Sequence, residues 1–336
     1  MTRSSSNVTI SQAIDNYLEI IEDSRSDNTA RTYRNALNAL KTTIESTNQN
    51  PSQTPIKALS IDVVKWFIKD LKGLAPSTES LYLTTLLGFF KYLVGEDLSE
   101  INLQKIRNTN LQRARRPGKS LPQIEKDKIA ELLYYANNLA SFETVTNIDR
   151  LRNLRDRAFL IVLADTGLRV HEACNLLRGD LDWNEGKAMI IGKGNKKAIV
   201  RFSGRSMAAL RDYLNARREY DGSSGKPLTS LPLFARHDRG AGKKIKPITT
   251  TTGRNIVTQR VREALGASDT GKITPHTLRH YFVTTVMLSS GGNIKLAQKL
   301  ARHESIAVTQ RYAHLSDEEL DRGYWEIFES GEPENN

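Results

Sequence analysis

Four short stretches of this chain hold the residue types that phosphoryl chemistry needs. Arg169 follows Thr166-Gly167-Leu168, and Glu172 stands three residues beyond it. Lys193, Lys196 and Lys197 crowd a Gly-Lys-Gly-Asn turn. His276 and Arg279 lie three apart in Thr274-Pro275-His276-Thr277-Leu278-Arg279, and His303 precedes Tyr312 by nine residues. A planar guanidinium donates two parallel hydrogen bonds to phosphate oxygens, so Arg169 and Arg279 together would clamp one phosphate and steady charge developing on it. At the start of a helix, the spacing of His276 and Arg279 puts both on one face, where the imidazole can share a proton with a hydroxyl or a phosphate oxygen. A lysine on a flexible turn can hand a proton to a leaving oxygen, and three lysines compete for that part. A tyrosine hydroxyl is a nucleophile only with help, because its ordinary pKa is about 10. The chain has eleven tyrosines; Tyr324 is the nearest rival to Tyr312, but it lies outside the histidine-to-tyrosine stretch. Glu172 can pair with a catalytic cation and orient it.

Read in chain order, Arg, Lys, His-x-x-Arg, His and Tyr resemble the catalytic set of the tyrosine recombinases, also called the phage integrase family. Any one of these motifs is weak; four in order, spread over most of the chain, are specific. The resemblance selects Lys193 among the hairpin lysines and gives His303 a hydrogen bond to the phosphate. It implies attack by Tyr312 on duplex DNA, leaving a 3′-phosphotyrosyl bond and a free 5′-hydroxyl. Because that bond conserves the phosphodiester energy, neither ATP nor another cofactor is expected. No metal is expected either: the arginines and the lysine neutralise the charge, and no metal-ligand spacing stands out. Two departures are visible. Arg302 stands where family members commonly carry glycine, and His171 where a small residue often precedes the acid. Type IB topoisomerase-like relaxation and a catalytically inactive DNA-binding regulator are the rival readings; the separate helical N-terminal region argues against the first and the complete residue set against the second.

The charge distribution points to the same partner. The net charge is +11, yet residues 1–103 carry −2 and residues 317–336 carry −7, which leaves +20 on 104–316. A basic centre beside an acidic tail suits a polyanion gripped mainly by one domain. The single cysteine, Cys174, excludes an internal disulfide framework and reads as a packing residue. The polar start, Met1 to Asn7, lacks the apolar core of a signal peptide, and no apolar run reaches the ~20 residues of a membrane span, so a cytoplasmic protein is expected.

The elements that must position these groups are mainly helical. The spacing predicts helices over 8–48, with Ile10, Ile14, Tyr17, Leu18 and Ile21 on one face. More follow at 61–72 and from a cap at Ser77 through Val94. Residues 1–103 therefore read as a helical DNA-binding domain, which looks like the core-binding (SAM-like) domain of integrases. Residues 104–120 read as a basic linker: Lys105, Arg107, Arg113, Arg115, Arg116 and Lys119 without one acid suit a phosphate backbone. The catalytic domain is expected over 121–316. Its helices fall at 124–139, 153–165, 205–218, 254–265, 278–288, 294–301 and 307–312, and a β-hairpin pairs 187–191 with 198–202 around Lys193. Arg236–Lys246 reads as a mobile basic loop. The tail, 317–336, has Leu320, Tyr324, Ile327 and Phe328 on one potential helix face, suited either to docking on a neighbouring protomer or to folding back on its own domain. The expected assembly is a monomer or weak oligomer in solution and a homotetramer on synapsed DNA.

Overall fold

Apolar spacing in the first hundred residues produces α1 (Ile10–Ser24), α2 (Asp27–Glu45), α3 (Asp62–Asp70) and α4 (Pro76–Gly95), and α5 (Leu103–Arg113) follows them. They belong to the first of two units, Met1–Lys119 and Ser120–Asn336, in a computed structural model that describes residues 8–115, 125–191, 197–238, 240 and 244–310. Thr9 caps α1 through a reciprocal pair with Gln12. The stripe Ile10, Ile14, Tyr17, Leu18, Ile21 is buried as its spacing demands. It meets Leu37, Leu40, Phe67, Phe89, Phe90 and Leu93 in one core. Gly88 lets α4 approach α1: a Cβ there would lie 2.5 Å from the Tyr17 hydroxyl. Helix α4 starts at Pro76 with Ala75 as the flanking residue, so Ser77 is inside the first turn and not the cap expected of it. Proline at the first position supplies the preset φ that a side-chain cap would otherwise help to select.

The basic stretch departs from its reading as a linker. Asn102 accepts from the amides of Gln104 and Lys105 and starts α5, and Ile106 has no exposed surface. One apolar residue, flanked by partly buried Leu103 and Ala114, docks the segment onto α3 and α4; the excess of cations masked that sparse stripe. Arg115 is equally committed. Its Nε donates to Glu79 Oε2 at 2.6 Å, its amide to Glu79 Oε1 at 2.9 Å, and its Nη2 to the carbonyls of Leu74 and Leu71 at 2.6 and 3.3 Å. Lys72 Nζ adds a second cation to Glu79 at 3.1 Å. Burial pushes the fully enclosed Glu79 carboxyl up, but these hydrogen bonds outweigh it and hold it below the usual carboxylate range. Lys105, Arg107 and Arg113 stay exposed. Arg116 and Lys119 lie outside the described residues.

The second unit is built on α7 (Asn147–Thr166), which is largely buried from Leu151 onward. Against it pack α6 (Lys126–Asn138), α8 (Val170–Asn175), α9 (Gly204–Ala216) and α12 (Pro275–Ser289); α10 (Arg218–Gly222) packs on α9, α11 (Thr250–Leu265) on α6 and α8, α13 (Ile294–Ala301) on α12, and α14 (Ile306–Gln310) on α13. A three-stranded antiparallel sheet runs β1 (Leu181–Asp182), β2 (Lys187–Ile191), β3 (Lys197–Arg201), with Met189 opposite Ile199. The expected hairpin is present, its second strand one residue earlier than the alternation suggested. The core centres on Phe159, Leu160, Leu163, Leu210, Tyr213, Val257 and Leu278. Cys174 packs there as expected, and burial pushes its thiol up to about 12. The described part of 236–246 is tied down by an Arg236–Asp238 pair at 2.7 Å and a backbone bond from Arg236 to Lys246. Among the described residues no helix is long and apolar enough to cross a membrane.

The Glu79 cluster makes a prediction. Arg115→Ala should strand a buried carboxylate with Lys72 as its remaining cation and destabilise the first unit by about 2–3 kcal/mol, the scale of charge-assisted hydrogen bonds removed from an enclosed group. Arg113→Ala, next but one along, should cost almost nothing. Native-state hydrogen exchange in peptides from α4 and α5 measures both; equal protection in the two variants would remove Arg115 from the framework.

Candidate active site

Each motif residue is placed by a short local device. Helix α7 ends because Gly167 turns left-handed at φ 58°, and its amide returns to Leu163 O. A Cβ at 167 would meet the Phe282 ring at 2.3 Å, so both backbone and space require glycine here. Leu168 then plugs into the core with no exposed surface, and Arg169 follows in extended backbone as the residue flanking α8. Glu172, three residues into that helix, reaches back: its Oε2 accepts the Arg169 amide at 2.8 Å and its Oε1 accepts Arg169 Nη1 at 2.8 Å. The carboxylate is buried while the Arg169 side chain remains 41% exposed, so the acid is the fixed end of the pair and the arginine the reaching end. Burial raises the Glu172 carboxyl, and the Arg169 hydrogen bonds and the nearby Arg302 charge overcome this and hold it below its ordinary value.

Helix α12 begins with Pro275 after a Thr274–Thr277 capping box, which sets the direction of its first turn. His276 and Arg279 on that turn face the same cavity as Arg169, a space of about 440 Å³. Arg279 is 3% exposed. Its Nη1 donates to Gly167 O and its Nη2 to Ala301 O, so it bridges the turn after α7 to the end of α13. Burial, and then the charges of Arg279 and Arg169, push the His276 pKa below 6.5. His280 is the buried packing residue expected, but it does not point elsewhere on the helix. Its ring sits edge-on against His276 with centroids 4.2 Å apart, and burial first, then His276 and Arg279, lower it to about 4.

His303 follows the left-handed Arg302 (φ 56°) at the end of α13. Its Nδ1 is 2.9 Å from the hydroxyl of buried Thr309, and its amide donates to Gln298 O at 3.1 Å. Burial, then the charges of Arg279 and Arg169, lower it to about 4. Arg169, Glu172, His276, Arg279 and His303 are thus brought together, while Lys193 and Tyr312 lie outside the described residues. Sequence reasoning missed Arg254 and Thr258, which line the same cavity from α11. Their signal was the exposed polar face Thr251, Arg254, Asn255, Thr258 on a helix whose other face is apolar. Three guanidiniums, one carboxylate and uncharged imidazoles make a site of net positive charge, suited to an anion with acceptor oxygens. Among the described residues no group of three or more His, Cys, Asp or Glu side chains is arranged to hold a metal ion.

Comparison with known proteins agrees with this geometry. Residues 123–319 match the model of the phage integrase family. The chain is 29% identical over 310 residues to the tyrosine recombinase XerC of Pediococcus pentosaceus, covering 92% of this chain and 94% of that one. It is 32% identical over 253 residues to XerC of Bacillus subtilis, covering 75% of each. In fold it is similar to the XerH site-specific recombinase in a post-cleavage complex with a palindromic difH substrate, at TM-score 0.67 and 19% identity over 97% of this chain and 85% of that one. It is also similar to the Tn1549 transposon integrase in complex with a circular intermediate DNA, at TM-score 0.66 and 16% identity over 95% and 99%. A family match spanning more than half the chain, on the residues that carry the cationic cleft, means that this chain belongs to the phage integrase family of tyrosine recombinases.

Proposed function

We propose that this tyrosine recombinase cuts and rejoins duplex DNA at specific sites with Tyr312 as nucleophile, Arg169 and Arg279 as phosphate clamp, His276 and His303 as hydrogen-bonding partners of the phosphate, and Lys193 as general acid. The observation that carries this reading is the convergence of Arg169, His276 and Arg279 on one cavity. The Tyr312 oxygen attacks phosphorus and forms the 3′-phosphotyrosyl bond as the bond to the 5′-oxygen breaks. The hydroxyl proton passes to a neighbouring base, for which His276 is suited, since an imidazole kept uncharged by burial and cationic neighbours has an acceptor nitrogen to offer. Lys193 supplies a proton to the departing 5′-oxygen. One diester is consumed and one formed, so attack by a partner strand's 5′-hydroxyl reverses the step without external energy. Glu172 orients Arg169 and does not touch substrate. Two such exchanges join two duplexes, which is why a homotetramer on synapsed DNA remains the proposed assembly, acting in the cytoplasm. The relatives named above are recombinases, and no observation favours relaxation of supercoils or an inactive regulator.

Tyr312→Phe should bind a nicked suicide duplex with unchanged affinity and form no covalent adduct. Lys193→Ala should form the adduct slowly on ordinary DNA and at close to the wild-type rate when the bridging 5′-oxygen is sulfur, a leaving group that needs no proton. Persistence of an adduct in the Phe variant would move the nucleophile to another tyrosine, Tyr324 first. A sulfur substrate cleaved just as slowly by the Ala variant would remove Lys193 as the acid.

The exposed cations of α5 remain candidates for meeting the DNA backbone. Replacing Lys105, Arg107 and Arg113 together by Ala should flatten the slope of log affinity against log salt by about 0.9 for each phosphate no longer neutralised, on all sequences alike. An unchanged slope would mean these side chains meet only solvent.

A further inference from the structure

Arg302 has the geometry of a part added to this site. A left-handed backbone at φ 56° and ψ 44° disfavours any residue with a Cβ, yet an arginine occupies it immediately before His303. Its side chain is 11% exposed and turned inward. Nη2 donates to Gly167 O at 3.2 Å and lies 3.4 Å from Glu172 Oε2, and Nη1 donates to Leu300 O at 3.1 Å. Two of those acceptors are already used by the proposed clamp. Glu172 holds Arg169, and Gly167 O takes Arg279. Arg302 does not border the cavity lined by Arg169, His276 and Arg279. It lines a separate one, with Asp165, Ser203, Phe282 and Leu300.

We propose that Arg302 is a positioning residue that acts through Glu172 and the Gly167 carbonyl to fix the directions in which Arg169 and Arg279 meet the scissile phosphate. The inference rests on the reading of those two arginines as the phosphate clamp. Three features give it physical content. Glu172 Oε1 accepts Arg169 Nη1 while Oε2 accepts both the Arg169 amide and Arg302 Nη2, so a second guanidinium fixes the carboxylate that orients Arg169. A carbonyl that accepts from both Arg279 and Arg302 is constrained from two directions. And because Arg302 is bonded to residue 303 in the chain, its anchorage also sets where His303 begins. The left-handed backbone is tolerated because the side chain is held at four places, counting Thr166 O at 3.5 Å. Glycine would satisfy the backbone and provide none of these hydrogen bonds.

The test separates positioning from folding. Arg302→Gly relieves the backbone but gives up the side-chain hydrogen bonds, so it should fold and bind DNA with near wild-type affinity at a somewhat lower melting temperature while single-turnover cleavage of a suicide duplex falls on the order of 10- to 100-fold, the scale expected when a reacting group is displaced by about an ångström. A methylphosphonate at the scissile position carries no non-bridging negative charge and makes less demand on the clamp. On that substrate the variant should cleave within about threefold of wild type. Arg169→Ala is the control, and its defect should shrink on the methylphosphonate in the same way. If it does not, the clamp reading itself fails and the inference falls with it. If the control behaves as stated, a wild-type rate for Arg302→Gly, or a loss of equal size on both substrates, overturns the positioning role alone. Should the Gly variant not fold, Arg302→Lys carries the same test: it keeps the charge, lacks the fork, and should show the same substrate-dependent loss.

Discussion

Like charges repel, and a cleft lined with guanidiniums has first to hold its own cations close together. Arg169, Arg279 and Arg302 converge in the second unit beside one buried carboxylate, Glu172. Coulomb repulsion between such groups is several kcal/mol at about 4 Å in a partly shielded interior, enough to unfold the local turn if it were unopposed. The fold opposes it with acceptors that cannot be lost: the Gly167 and Ala301 carbonyls, both backbone atoms at element ends. Helix ends leave carbonyls without intrahelical partners, and here the guanidiniums satisfy them. The end of α7, the start of α8, the first turn of α12 and the end of α13 therefore depend on one another. Losing the left-handed turn at Gly167 would move Leu168, Arg169 and the carbonyl that holds Arg279 in one step.

The same principle divides the remaining cations of this basic chain into two populations. Some are structural. Arg217 has no exposed surface and donates to Pro232 O at 2.8 Å, and Arg260 pairs with Asp156 at 2.8 Å. Arg115 belongs with them. Others, such as Lys105, Arg107 and Arg254, face outward. Net charge by itself counts both populations as DNA-binding potential, whereas only the second can release counterions from a duplex.

Much of this was legible in the sequence where a residue type has one physical use. The stripe from Ile10 to Ile21 fixed a helix and its buried face. Thr274-Pro275 marked a helix start, and the spacing of His276 and Arg279 put them on one side of it. Glu172 beside Arg169 foretold their pairing. What was not legible depends on partners distant in the chain. Arg115 read as a phosphate ligand because nothing local reveals that Glu79, 36 residues earlier, is enclosed and needs it. Helix α5 was hidden because one buried isoleucine is too weak a pattern against six cations. Arg254 and Thr258 were passed over because a polar helix face is ordinarily solvated, and only the placement of α11 beside α12 and the Arg169 turn directs it toward the cleft. Ser77 misled through a local preference, since a serine after proline looks like a cap until the proline itself proves to be the first helical residue.

The histidines complete the electrostatic argument. A protonated imidazole among these guanidiniums would add to the repulsion, and burial with cationic neighbours keeps His280 and His303 uncharged down to about pH 4. An uncharged ring has one donor and one acceptor nitrogen, so it can bond a phosphate oxygen or receive a proton without first losing one. Burial is the first cause that lowers the His276 pKa, and the charges of Arg279 and Arg169 come after it. The same enclosure and the same two arginines that make the cleft favourable for an anion therefore keep this imidazole in its uncharged form.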